Sequence, residues 1–149
     1  MEKGLKIQID DGANFHLCYF YRLLGLVHLE SGDLKNAQQY AEKALKLSQR
    51  DNEKWDEGLA WILMGRIYAE VGKSQIDKAE EYILNGIKIL DDLKLKPLYS
   101  PGYLSLAELY ADAGQKDKAR ENLKKANTLF REMGMNYWLD KAQKVLKRL

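Results

Sequence analysis

Between Tyr21 and Ala44 the chain reads YRLLGLVHLESGDLKNAQQYAEKA, and its apolar positions fall into two helical stripes separated by a glycine. Leu24 and Gly25 lie one turn beyond Tyr21, Gly32 stops that helix, and Ala37, Ala41 and Ala44 place small residues along one side of the next. Small positions facing large ones predict a closely packed antiparallel pair. A side chain larger than glycine at position 25 would hold the helices apart, at about 1–3 kcal/mol. The grammar returns at Trp61, Met64, Gly65, Tyr68, Gly72, Ala79 and Gly86, and again at Tyr103, Leu106, Ala107, Tyr110, Gly114, Ala119 and Ala126. The chain therefore contains an internal repeat, and a pair of this kind needs neighbours stacked on it.

Taken in order, Leu5, Ile7 and Ile9 beside Gly4 read as the end of a second helix from an earlier repeat, so the chain is expected to be a piece of a longer array, the alternative being a stub that packs as an improvised cap. Asp11 or Asn14 is placed to cap a first helix running from about Ala13 to Glu30. Asp33 is placed to cap the second helix, which reaches about Ser48, and Asp51 or Asn52 to cap the helix after it. Residues Glu53 to Glu57 add a turn ahead of the next repeat. Gly72 precedes Ala79 by two residues more than Gly32 precedes Ala37, so that turn is longer, and Ser74 with Asp77 resembles a capping box for a helix over Gln75 to Leu93. Pro97 breaks the pattern, and Ser100 followed by Pro101 reads as the start of the next helix. After Gly134 a last amphipathic helix, Asn136 to Leu149, sets Trp138, Ala142, Val145, Leu146 and Leu149 on one side and Lys141, Lys144, Lys147 and Arg148 on the other.

These large and small positions resemble the tetratricopeptide repeat, a helix-turn-helix unit of about 34 residues. The resemblance implies an all-α, right-handed α-solenoid of antiparallel helix pairs in one domain over residues 1–149. Its expected parts are a stub over 1–12, repeats over 13–51, 52–95 and 96–134, and a capping helix over 135–149. It also implies a non-catalytic module that binds a peptide or helix of a protein partner in its concave groove. The first-helix positions expected there are Tyr19, Arg22, Leu26 and Leu29, then Leu59, Ile62, Arg66 and Glu70, then Leu104, Glu108 and Asp112. Ile62 and Leu104 follow the core anchors Trp61 and Tyr103 and are expected to face the groove. The family's carboxylate clamp holds acidic chaperone tails with Lys, Arg and Asn, but this chain offers Arg22 and Leu26, Leu63, and Pro101 and Ser105. Adaptors for such tails are disfavoured.

Spacings of 40 positions from Gly25 to Gly65 and 42 from Gly65 to Ala107 exceed the usual period, so helices or turns must be extended. Charged residues make up 31% of the chain at a net charge of +2, interspersed, which argues against a surface devoted to nucleic acid or anionic lipid. Lone Cys18 fits a reducing compartment, and the charged N-terminus carries no secretory signal, so a cytoplasmic location is expected. The apolar window Phe15 to Leu29 is interrupted by Arg22 and too short to span a bilayer. No phosphate loop, HExxH or CxxC spacing occurs. His28 stands where the other repeats have Tyr68 and Tyr110, and His16 is twelve residues from it, a spacing foreign to short metal motifs. The acidic pairs Glu80–Glu81 and Asp91–Asp92 read as solvated helix faces. No enzyme activity, cofactor or metal is expected, and self-association would run through the exposed N-terminal end.

The run QIDKAEEYILNGIKILDDLKLKPLYSPGYLSLAELYADAGQKDKARENLKKANTLFREMGMNYWLDKAQKVL, Gln75 to Leu146, further resembles the C-terminal tetratricopeptide arrays of large bacterial signalling proteins with a nucleotide-cyclase-like or ATPase domain upstream. That likeness implies a regulatory or sensor segment acting on its own catalytic domain, as the alternative to a separate partner.

Overall fold

Turns of two to four residues separate seven α-helices over residues 17–149, the part of the chain that the computed structural model describes. The expectations for the N-terminal stub, the Asp11 or Asn14 cap, a helix start at Ala13 and His16 lie outside the described residues. The helices are α1 (Leu17–Glu30), α2 (Leu34–Arg50), α3 (Lys54–Val71), α4 (Ile76–Asp92), α5 (Lys96–Asp112), α6 (Lys116–Met133) and α7 (Asn136–Leu146), with a 3-10 turn at Lys73–Gln75. No strand occurs among the described residues.

Small residues set the pairing. A Cβ on Gly25 would lie 3.3 Å from the Ala41 nitrogen and 3.4 Å from the Ala37 oxygen, while Cys18, at the start of α1, donates to the Ala44 carbonyl at 3.3 Å. Early α1 thus faces late α2, and the pair is antiparallel. In the next pair Gly65 faces Ala79 and Ile83, and Gly58 faces Gly86 and Leu90. Ala37, Ala41, Ala44, Ala79, Ala119 and Ala126 are fully buried. Successive pairs then stack, with Gly102 of α5 set against Ile87 of α4 and Ile62 of α3. Leu104 and Ala107 share a cluster with Leu123, Ala126 and Phe130 of α6 and with Ala142 and Val145 of α7, so α7 covers the last pair. The result is an all-α solenoid of helix pairs.

The long period resides in the helices, since α2 to α6 each hold 17 or 18 residues. Only the turn after α3 is lengthened, to four residues, and three of them form the 3-10 turn. The other turns share one device, a residue in the left-handed region just past the helix. At Gly32 (φ +83°) the Asp33 N–H returns to the His28 carbonyl at 2.9 Å, satisfying an otherwise orphaned acceptor. Between pairs Asn52 and Lys94 take that conformation without being glycine.

Several helix boundaries depart from the sequence pattern. Asp33 caps α2 as expected, accepting from the Asn36 N–H at 3.2 Å. Neither Asp51 nor Asn52 caps α3: Asp51 pairs with Arg50, Asn52 makes the left-handed turn, and Glu53 stands at the cap position without bonding the helix end through its side chain. Ser74 does not cap α4, because the chain winds into the 3-10 turn first and the helix opens at Ile76. Helix α5 starts one turn before Ser100, with Pro97 in its first turn and Pro101 inside. The Ser100 hydroxyl is spent on the Lys96 carbonyl at 2.6 Å. The last helix stops at Leu146, which is exposed, and Leu139 packs in its stead.

Candidate binding groove

Helices α1, α3, α5 and α7 lie side by side, each touching the next, and a trough of about 600 Å3 runs along them. Its floor is apolar: Leu26 from α1, Leu59, Ile62 and Leu63 from α3, and Leu98, Pro101 and Leu104 from α5. Aromatic side chains stand at its edges. Trp55 rises from the first turn of α3 and Tyr137 and Trp138 from the first turn of α7, with Trp55 44% and Tyr137 65% exposed. Lys141 lies 5.0 Å from the Tyr137 ring and 5.2 Å from that of Trp138, in cation–π geometry.

A smaller cavity of about 200 Å3 adjoins the trough and shares Glu30, Arg66, Ser105 and Glu108 with it. Leu29, Ala69, Glu70, Ile83, Leu109 and Asp112 complete its lining. Ten of the eleven positions expected in the groove line one cavity or the other: Arg22, Leu26, Leu29, Leu59, Ile62, Arg66, Glu70, Leu104, Glu108 and Asp112. Tyr19 lines neither. Its ring is exposed, in edge contact with Phe20, and Arg22 stands 5.4 Å from its centre.

Ile62 and Leu104 line the trough but are buried, at 8% and 2% exposure, whereas the expected anchors Trp61 and Tyr103 are half-buried. Ile62 is roofed by Gly86 and Gly102, and Leu104 by α7, so both are core as much as groove. Among the lining residues missing from the expected groove positions are three aromatic ones, Trp55, Tyr137 and Trp138. An adjacent Tyr137–Trp138 pair at a helix start was the available signal, because only one of two neighbours can face α6. Trp138 does so, stacked on Phe130 at 5.9 Å.

The five positions matching the carboxylate clamp, Arg22, Leu26, Leu63, Pro101 and Ser105, all line the trough. Only Arg22 is cationic, and its Nη2 lies 3.8 Å from Asp56 Oδ1. Charge in the adjoining cavity is mostly negative. Arg66 Nη2 reaches Glu30 Oε1 at 3.5 Å, and Arg148 pairs with Asp112. Burial raises the Glu108 carboxyl above its ordinary range. Arg66, Arg148 and Lys141 oppose that rise, and Asp112 adds to it.

Other chemistry-bearing side chains are engaged in contacts within the fold. Cys18, Glu53 and Asp56 bring ligand-type atoms within 4.8 Å of one another. The Cys18 thiol is nevertheless pushed up to about 12, by burial first and then by the Asp56 and Glu53 carboxylates, so it stays protonated and donates to Ala44. His28 stacks on Tyr40 at 5.4 Å and lies 3.5 Å from Asp33. Glu80 accepts a hydrogen bond from Tyr110, and Asp92 pairs with Lys88. Among the described residues no helix is long and apolar enough to cross a membrane.

A search of curated proteins found no match. The tetratricopeptide repeat family model matches residues 20–51 and 100–132, which cover most of the α1/α2 pair and of the α5/α6 pair. The α3/α4 pair between them packs by the same small-residue contacts. Repeats of this kind generally mediate protein–protein interaction or scaffolding and are typically non-catalytic. By these two matches and by its stacked helix pairs, the chain carries repeats of the tetratricopeptide type.

Proposed function

We propose that this chain is a non-catalytic interaction module that binds a peptide or helical segment of a protein in its concave groove. The observation that carries this reading is the trough itself, an apolar floor drawn from three first helices and edged by Trp55, Tyr137 and Trp138. Such a surface suits an amphipathic helix or an apolar extended segment, recognised through burial worth about 25 cal/mol per Å2 of apolar area. An adjoining domain of a larger protein would use the same chemistry as a separate partner.

Leu59→Asp and Leu26→Asp test the proposal, because both side chains line the trough and are only half-buried. A partner recovered from lysate and titrated against the folded variants should bind each about tenfold or more weakly than the parent, the loss of one good apolar contact. Helix content and cooperative unfolding should be kept. Unchanged affinity would move the site off the concave face, and the extended turn at Lys73–Ile76 would be the next surface to test.

A further inference from the structure

The groove has two chemically distinct ends. The trough between Trp55 and Trp138 has an apolar floor, whereas the adjoining cavity is lined by the carboxylates of Glu30, Glu70, Glu108 and Asp112 and by the guanidinium of Arg66, with Arg148 and Lys141 close enough to act on Glu108. Arg66 is engaged by Glu30, and Asp112 by Arg148. Glu70 and Glu108 make no ion pair or hydrogen bond among the described residues. Glu108 is half-buried, and both cavities share it. Converging carboxylates in a partly desolvated cleft repel one another, and the walls focus their field on whatever enters. An ammonium or guanidinium placed there gains charge-assisted hydrogen bonds, and a second acid would meet like charge.

We infer that the groove selects a protein segment of one polarity: apolar or aromatic side chains in the Leu26–Leu59 trough and a lysine or arginine reaching into the Glu70–Glu108 cavity. This rests on the groove being the working face. The preference is opposite in sign to a clamp for acidic tails. Apolar burial supplies affinity, and the cation fixes direction and register, since reversing the segment would put its charge on the apolar floor.

The test is panning the full chain against displayed random peptides, followed by titration of synthetic versions of those enriched. Enriched peptides should share apolar anchors and a basic residue at a fixed offset. Replacing that residue by alanine should weaken binding to the parent about tenfold, and the difference should shrink toward onefold in Glu70→Gln/Glu108→Gln. Leu59→Asp should weaken both peptides alike. Enriched peptides that lack a basic residue, or whose alanine version binds equally well, overturn the polarity while leaving the groove in place, provided Leu59→Asp still weakens them. Peptides indifferent to Leu59→Asp, or none enriched, overturn groove and polarity together. A dimer by light scattering that Leu59→Asp dissociates would make a second copy the occupant and overturn the inference as well.

Discussion

Tyr110 of α5 donates a 2.7 Å hydrogen bond to the Glu80 carboxylate of α4, while Lys118 of α6 stands 5.4 Å from the centre of the same ring. The preceding junction repeats the arrangement. Gln38 donates to the Tyr68 hydroxyl at 3.3 Å, and Lys78 lies 4.6 Å from that ring. Gln38 and Glu80 each follow a buried alanine, Ala37 and Ala79, and Lys78 and Lys118 each precede one, Ala79 and Ala119. A periodic sequence thus places one polar staple at each junction between repeats.

In a stack whose stability is a sum over nearest-neighbour contacts, this staple acts between units. Tyr110→Phe is expected to lower the unfolding free energy by about 1.5–3 kcal/mol, the range for a bond to a charged acceptor. Tyr68→Phe, with a longer bond to a neutral donor, should cost about 0.5–1 kcal/mol. Urea unfolding of both variants measures the difference, and equal losses would remove the carboxylate from the account.

Close approach makes Gly86 the most demanding position in α4. A Cβ there would lie 2.4 Å from the Gly58 oxygen and 2.6 Å from Ile62 Cγ1. Because backbone cannot yield as a side chain does, Gly86→Ala should destabilise by about 3 kcal/mol, the upper end for overpacking. Gly25→Ala should cost about 1 kcal/mol, since its nearest contact is the end of the Leu63 side chain at 3.0 Å. Lys144→Ala, on an exposed face, should leave the midpoint unchanged. Thermal unfolding of the three ranks them.

These contacts were legible in the sequence because each is written within one helix pair. Gly25 against Ala37 and Ala41, and Gly65 against Ala79, follow from spacing alone. The caps were less legible. Ser74 and Ser100 are good cappers in isolation, but the chain entered a 3-10 turn at one and had already begun its helix at the other. The groove was half legible, since the resemblance to the repeat family implied ten of the positions that line the two cavities. Trp55 enters it only because α3 begins at Lys54, and Tyr137 and Trp138 only because α7 folds back over α5. The burial of Ile62 and Leu104 depends on neighbouring units, which no local pattern encodes.

Glu108 predicts a pH-dependent trade between stability and binding. Its carboxyl is raised above the ordinary value of 4.5, chiefly by burial, with Asp112 adding to the rise and Arg66, Arg148 and Lys141 opposing it. The native state therefore holds that proton more tightly than the unfolded chain. The penalty is fully present above the folded pKa, is relieved as pH falls through it, and is gone below the ordinary value of 4.5. Glu108→Gln should raise the melting temperature at neutral pH, and the gain should vanish in acid. A gain independent of pH would contradict this origin.

Cys18 offers a probe of unfolding. It is 2% exposed, and its thiol is pushed up to about 12 by burial and the nearby Asp56 and Glu53 carboxylates. Disulfide-exchange reagents at mildly alkaline pH should label it at the rate of opening and label the denatured chain at once. Immediate labelling of the native protein would show the α1/α2 pair to be open at Ala44.

The tryptophans permit the most direct test of the groove as the working face. Trp55 and Trp138 line the trough, whereas Trp61 lies outside it, its indole N–H donating to Glu57 at 3.2 Å and its ring against Tyr82 at 4.9 Å. In a 15N-labelled sample titrated with a bound peptide, the indole signals of Trp55 and Trp138 should shift with occupancy while that of Trp61 stays in place. Movement of Trp61 alone, or of none of the three while calorimetry reports binding, would contradict the groove.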